Sequence, residues 1–521
     1  MKRENATKAF VYSAQTCLWV LFIMIDFYLW IPSLLYRKVM TKIHQHTQRQ
    51  HQQQQYQYQQ GQRARRGLKG RPPPPPRARP SQTVVIVGGN FAGLAALREL
   101  QSNHFHSLNV ILIDQRDYFE YTPGVLRLFC EPHEVTKLVH SLSSVVKDND
   151  GQQEYKFIQG SVTQVYKNHL LYVDTGAAAT QPKPPAQTLN FDYLIMATGS
   201  TYSHPVSALK TESTIPVRAQ GWKEWSRRVR NAQSILILGG GAVGTELAAE
   251  IADHYNSNNP SRRKSITLVD ASPRLVPLFA PRVSEYAAQW LRSHGVKLVL
   301  GQMLETWDST SCTLKATEKQ PKQQQRLEAD LVFVCFGDKP NSNPLVVTKS
   351  ITDKNNSRSF IPPPTPPAPK LDRRKCVHVD SFLRVEGRPN VFCCGDVACP
   401  PTEAVKQAFH AEVQGHIAGA NIVRLATGHP FLRYPEDATL GSPNMPLVYV
   451  LSLGQWDGVI GFNSITVPGP LAPILKWILE WTKIRQMLGR PIGILVWMIG
   501  DAVTFFLSKS LVPPVSKTKN A

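Results

Sequence analysis

The 521-residue sequence predicts an α/β fold built around two nested β-α-β units, with an apolar segment toward each end of the chain. Two observations predict it. A buried-strand run, a glycine-rich turn, a helical pattern and a second strand ending in an acid occur in that order at Gly88 and again at Gly239. Composition is the other: 42% hydrophobic against 19% charged residues is enough for two or three cores.

The first element in chain order is an anchor over residues 1–36. Ala9–Ile25 is uncharged, Asp26 interrupts it, and FYLWIPSLLY continues to Tyr36. A spanning helix needs about 20 apolar residues. The run reaches that length only with Asp26, which costs about 3 kcal/mol at mid-membrane. Trp19, Tyr28 and Trp30 suit an interface, and no small-residue cleavage site follows. The expectation is an uncleaved anchor that spans or dips in. Its far flank is much more basic than Lys2, Arg3 and Lys8 with Glu4, so the rest of the chain should face the cytosol. A mitochondrial membrane is also compatible.

Residues 37–81 form the next segment, a basic tether rich in Gln and Pro. Eleven basic residues from Arg37 to Arg79 face no acid, so this stretch supplies about half of the net charge of +21. It lacks the interleaved aromatics of an RNA binder, so no nucleic-acid partner is expected. A strip held near anionic lipid is the functional reading, a solvated tether the plain one. The His residues are not at ligand spacing, and the eight cysteines contain no CxxC pair, so no metal site, zinc ribbon or dithiol centre is expected.

After Pro80 the character changes. TVVIV (83–87) leads to Gly88-Gly89-Asn90-Phe91-Ala92-Gly93, a helical LAALREL, and NVILI ending in Asp114. Such a unit lays a pyrophosphate on a helix N-terminus and offers the acid to a ribose hydroxyl. Asn90 stands where the fingerprint has its second glycine; Asn tolerates unusual backbone angles better than most residues. The second unit runs from SILIL (234–238) through Gly239-Gly240-Gly241-Ala242-Val243-Gly244 and TELAAEIA to ITLVD ending in Asp270. Gly239, Gly241 and Gly244 complete its pattern. An acid at Asp270 favours the free 2′-hydroxyl of NADH over NADPH, although Arg274 lies close. One fingerprint is weak evidence; two in one chain make Rossmann-like units for two dinucleotides, unless one copy is a dead duplication.

FDYLIMATGS (191–200) is a strand with a small exit at Thr198-Gly199, and LVFVCFG (331–337) echoes it, ending in Gly337. NVFCCGDVA (390–398) places Gly395-Asp396 ahead of a helix expected over 403–425, where a carboxylate by a helix N-terminus can bond ribityl hydroxyls. From Leu471 the apolar positions 471, 474, 475, 478, 481 and 488 define one face. Lys476, Glu480 and Lys483 take the opposite one. Gly489-Arg490-Pro491 breaks the helix. The apolar runs 492–499 and 504–507 are split by Asp501 and look too short to span. The expectation is an interfacial helix with a shallow-inserting tail; a dimer or core surface is the plain alternative.

VVIVGGNFAG, ATGS, ILGGGAVGTELAAEI, VCFG and FCCGDVA together resemble the two-dinucleotide flavoprotein disulfide-reductase fold. YFEYTPGVLR (118–127), KQAF (406–409) and LSLGQWDGVIG (451–461) resemble its quinone-reducing branch, which includes type II NADH dehydrogenases and apoptosis-inducing-factor-like ferroptosis-suppressor proteins. The resemblance covers about residues 82–465. It implies FAD in the first unit and NADH or NADPH in the second, with hydride passing through the flavin to a lipid quinone. It assigns FAD to Gly88, Gly89, Asn90, Phe91, Ala92, Gly93, Asp114, Arg127, Thr198, Gly199, Gly395 and Asp396. The nicotinamide cofactor falls to Gly239, Gly241, Gly244, Asp270 and Gly337.

For catalysis the resemblance singles out Glu246, Lys406 and Gln407. Glu246 would approach the nicotinamide, or be a first-turn Glu favoured by the helix dipole. Glu250 reads as plain surface. Lys406 would place charge near the flavin, or be an exposed helix Lys. Phe409 packs on a quinone ring or fills core. The implied domains are FAD-binding over 82–205 and 371–425, NAD(P)H-binding over 206–345, a Pro-rich insert over 346–370, and a C-terminal part over 426–521. A homodimer is allowed. Two rivals stand: a sulfide:quinone oxidoreductase-like enzyme using Cys130 and Cys399, and a dinucleotide-binding redox sensor with little turnover.

Overall fold

The computed structural model describes residues 82–102, 108–146, 155–176, 185–257, 262–315, 325–346, 368–402 and 405–512, with positions 11, 13, 15, 18 and 514 in isolation. The tether and most of the expected anchor and of the Pro-rich insert lie outside the described residues.

β1 (Gln82–Val87) has Val84, Val85 and Ile86 fully buried, because it is covered on both faces. It leads through the glycine turn into α1 (Phe91–Ser102) and β2 (Leu108–Asp114). β3 (Tyr155–Val165), β4 (His169–Asp174), β5 (Ala186–Asn190) and β6 (Tyr193–Met196) follow. After α2 (Ile215–Asn231), the second unit begins with β7 (Ser234–Leu238), α3 (Ala242–Asn256) and β8 (Ser265–Asp270). α4 (Pro281–Ser293), β9 (Val296–Leu300) and β10 (Leu331–Val334) complete its framework.

The chain then returns to the first unit with β11 (Arg384–Val385), β12 (Arg388–Cys393) and α5 (Ala408–Thr427). The first sheet has eight strands in the order β11-β12-β6-β1-β2-β3-β4-β5, so its two flanks come from distant parts of the sequence. β1 pairs in parallel with both β2 and β6, with Ile86 opposite Leu112 and Ile195. The second sheet is four-stranded and parallel, β9-β8-β7-β10. Both units therefore put their first strand in the interior, and both glycine turns leave from its carboxyl end.

A three-stranded antiparallel sheet of β13 (Val448–Leu453), β14 (Asp457–Phe462) and β15 (Ile465–Pro468) leads to two helices, α6 (Leu471–Met487) and α7 (Pro491–Ser510). Two expectations change here. The apolar tail is not two short runs: α7 is one 20-residue helix, long and apolar enough to cross a membrane by length and composition, with Asp501 inside it. The charged row of α6 does not face solvent either. Glu480 is 7% exposed and Lys483 4%, so that row is the one packed against the protein.

Candidate functional site

The carboxyl ends of β12, β6, β1 and β2 lie side by side, where an open α/β sheet leaves its ligand crevice. Gly88 has φ +109°, and a Cβ there would sit 2.3 Å from the Ala197 carbonyl oxygen; at Gly93 it would sit 1.8 Å from the Gly88 oxygen. Only glycine lets this turn close on β6 and lets α1 start beneath it. Asp114 accepts the Gly89 N–H at 2.7 Å and the Arg116 N–H at 2.9 Å.

Asn90 is not among the positive-φ residues, so its tolerance of unusual angles is not what admits it. Its Oδ1 accepts the Phe91 N–H at 2.9 Å, and its Nδ2 points to the Glu120 carbonyl at 3.4 Å. The matching Gly241 has φ −69°, and a Cβ there would meet nothing within 4 Å. Backbone strain demands glycine at neither position; Asn90 adds only a side chain at the head of α1. Phe91 and Ala92 are buried in the first turn of α1, Phe91 edge-on to Phe119 with ring centroids 5.5 Å apart.

Thr198, Gly199 and Ser200 leave β6 toward the same crevice, with Gly199 at φ +64°. The Ser200 hydroxyl donates to Asp396 at 3.1 Å, and Gly395 (φ +78°) packs against Ala92 of α1. Burial pushes the Asp396 carboxyl up from its ordinary range, opposed by the charge of Lys406. Lys406 donates to the Ala398 carbonyl. Lys406 and Gln407 precede the helix rather than riding on it, because α5 begins at Ala408 with Gln407 as its N-cap. The Gln407 Oε1 is buried and has no hydrogen-bond partner among the described residues. Phe409 stacks on Phe505 of α7 at 5.8 Å, which brings the turn against the apolar helix.

The second unit repeats the backbone bonds of the first at its turn. Gly239 has φ +112°, and a Cβ at Gly244 would sit 1.9 Å from the Gly239 oxygen. Asp270 accepts the Gly240 N–H at 2.5 Å and the Ser272 N–H at 2.6 Å. Gly337, at φ +77°, exits β10. Arg274 points elsewhere: its guanidinium donates to the Phe279 and Pro277 carbonyls at 3.0 and 2.6 Å. Thr198 and Asn341 join the two exits by reciprocal bonds of 2.8 and 2.9 Å.

Sequence reasoning missed what packs on the candidates Glu246 and Arg127, the charged row of α6. Lys476 approaches Glu246 at 3.2 Å, and Glu246 also accepts the Ser452 N–H at 2.8 Å. Glu480 meets Arg127 at 2.5 Å, and Lys483 meets Glu412 of α5 at 2.6 Å while lying over the Trp497 ring. Their i, i+4, i+7 spacing was the available signal, and it marked one row without saying what that row faced. Glu250, expected at the surface, is partly buried; desolvation, with Glu246 nearby, lifts its carboxyl to about 7. Cys130 donates weakly to the Glu250 carbonyl at 3.7 Å. Burial raises the thiols of Cys130 and Cys399, and Cys394 is raised to about 12.

Two β-α-β units with paired glycine turns, terminal acids and a shared exit define a two-dinucleotide flavoprotein fold. The pyridine nucleotide-disulphide oxidoreductase model matches residues 82–363, and the chain belongs to that family. It is 30% identical over 383 residues to ferroptosis suppressor protein 1 of Mus musculus, covering 72% of this chain and 87% of the relative. Among solved structures it is similar to NDH2 from Plasmodium falciparum in complex with NADH (TM-score 0.59, 14% identity, 84% of this chain and 100% of that one). It also resembles the sulfide:quinone oxidoreductase of Aquifex aeolicus (TM-score 0.61, 15% identity, 82% and 95%). The protein is an FAD-dependent oxidoreductase that uses NAD(P)H.

Proposed function

We propose that the protein is a membrane-associated FAD-dependent NAD(P)H:quinone oxidoreductase whose acceptor is a lipid quinone. The observation that carries this reading is the seat of α6. One row of that helix bonds Glu246 of the second unit, Arg127 of the first and Glu412 of α5. Its partner helix α7 leaves Leu495, Met498, Ile499, Val503 and Phe506 exposed. An electron-transfer site that shares a helix pair with an apolar surface suits a donor from water and an acceptor from lipid.

The residues fit the two dinucleotides. Gly88, Gly93 and Gly244 make turns that a Cβ would block, Gly239 holds φ +112°, and the orphaned Gln407 Oε1 offers an acceptor at the head of α5. FAD would be held by Gly88–Gly93, Asp114, Thr198, Gly199, Gly395 and Asp396, and the nicotinamide cofactor by Gly239, Gly241, Gly244, Asp270 and Gly337. Bound FAD would supply two-electron transfer between nicotinamide and quinone. Lys406 holds a positive charge beside Asp396, suited to negative charge developing in the crevice. Glu246, fixed by Lys476 and the Ser452 N–H, orients the nicotinamide end, and Arg127 is held in place by Glu480. Asp270, with Arg274 engaged elsewhere, supports NADH over NADPH. The raised thiols weigh against a cysteine mechanism, since the reactive form is the thiolate.

The test is purification of the full chain in detergent, an absorbance spectrum, bleaching by NADH or NADPH, and reoxidation by ubiquinone analogues. A folded, colourless protein that does not take up FAD would refute the reading. Coloured protein that NADH bleaches but no quinone reoxidises would refute the acceptor.

A further inference from the structure

A second concavity lies along the flank of α6 and reaches Glu480 of the row that grips the two units. It is a groove of about 480 Å³. One wall is the stripe Trp477, Trp481, Ile484 and Leu488. These positions recur at i, i+4, i+7 and i+11, one residue on from the buried charged row, so they form a separate apolar face. The two indole rings stack 6.4 Å apart. Lys137 and His140 line the groove from another part of the chain, Arg485 from the last turn of α6 and Arg490 from the N-cap of α7.

The charge balance of this lining is one-sided. Its single acid, Glu480, is neutralised by Arg127 at 2.5 Å. Lys137 reaches Glu134 at 2.6 Å, but its side chain is 65% exposed. The Arg485 guanidinium lies over the Trp481 ring at 4.5 Å. Arg490 is exposed beside Leu488. Apolar aromatic walls under a cationic rim are the complement of an amphiphile with a negative head. Trp at the wall and Arg or Lys at the rim is also the arrangement that sits at the polar boundary of a bilayer. The helix packed on α6 carries the exposed apolar face of α7, and close contact of Gly493 with the α6 backbone holds the two together.

We propose that this groove binds an anionic phospholipid, with an acyl chain along Trp477, Trp481, Ile484 and Leu488 and the phosphate among Lys137, Arg485 and Arg490. The proposal rests on the reading of α6 and α7 as the membrane-facing end. A bound lipid would sit directly behind the helix that holds Glu246 and Arg127, so lipid charge would reach the site through α6.

Because the basic 37–81 segment also attracts anionic vesicles, bulk vesicle binding does not test the groove. The test is tryptophan quenching of the full chain in detergent micelles containing brominated phosphatidylglycerol or brominated phosphatidylcholine. Phosphatidylglycerol should quench more strongly than phosphatidylcholine. That excess should fall in W477F/W481F to the part carried by Trp19 and Trp30 beside the basic segment. In K137Q/R485Q/R490Q the lipid concentration needed should rise about fivefold for each cation removed. Melting temperature and FAD absorbance report that each variant folds, and the charge variant stands by itself if the double-Trp variant does not. Equal quenching by the two lipids, or an excess unchanged in both variants, overturns the proposal. Turnover of a short-chain quinone in lipid-free detergent reads the proposed reaction separately, so failure of one reading is distinguishable from failure of the other.

Discussion

Glu120 and Arg218 are 98 residues apart in sequence and make a two-bond ion pair of 2.8 and 3.0 Å, both side chains 1% exposed. Glu212 at 3.1 Å and the Trp222 indole N–H at 3.1 Å complete the network. Losing one partner strands a buried charge, so Arg218→Met should destabilise the fold by about 3–5 kcal/mol in chemical denaturation. Glu250 gives a second outcome at this scale. Its folded carboxyl lies near 7 against an ordinary 4.5, raised by burial and by Glu246 and Asp253, and opposed by Lys476 and Arg127. Between those values the folded state keeps a proton that the unfolded chain has released, so stability falls as pH rises through that window. Glu250→Gln should therefore melt higher than wild type at pH 8, and the two should converge toward pH 4.5. An unchanged difference across that range would show that Glu250 is not the group titrating. Neither network was legible in the sequence, since a lone Glu in a strand or helix does not name a partner about a hundred residues away.

At the scale of elements, α1 and α5 make a close helix contact. A Cβ at Gly415 would sit 2.1 Å from the Ala92 carbonyl oxygen, and one at Gly419 would sit 2.9 Å from that of Ala96. The two glycines let α5 lie on the helix that opens the first unit, which sets the Gly395-Asp396 turn beside Ala92. Gly415→Val should push α5 away and lower the FAD content of purified protein, read as the absorbance ratio of flavin to protein. Fully retained flavin would show that the turn does not depend on this contact. The β-α-β units were legible because strand, turn and helix signals are local, within about thirty residues. The start of α5 was misplaced because nothing local marks its N-terminus: Gln407 makes no capping bond, and the residues before it are held by tertiary contacts of Lys406. Asp114 and Asp270 were legible as strand-end acids, but their bonds to the turn N–H groups emerge only once the turn is folded.

For the whole molecule, the decisive arrangement is a charged helix against the two units and an apolar helix on its back. Replacing Met498, Val503 and Phe506 of α7 by Ser should cut partition of the full chain into neutral phosphatidylcholine vesicles, measured by flotation. Turnover of a water-soluble quinone should change little. If partition is unchanged, α7 is not the membrane-facing surface.

The sequence by itself determined the two units, their order and the glycines of both turns, because those depend on spacing along a single strand-turn-helix. Only the tertiary structure decided which row of α6 is covered. Helical periodicity sorts residues into rows, but burying Glu480 and Lys483 and half-burying Lys476 is tolerable only where Arg127, Glu412 and Glu246 wait opposite them. Those partners come from three different parts of the chain, and their meeting is a property of the folded molecule alone.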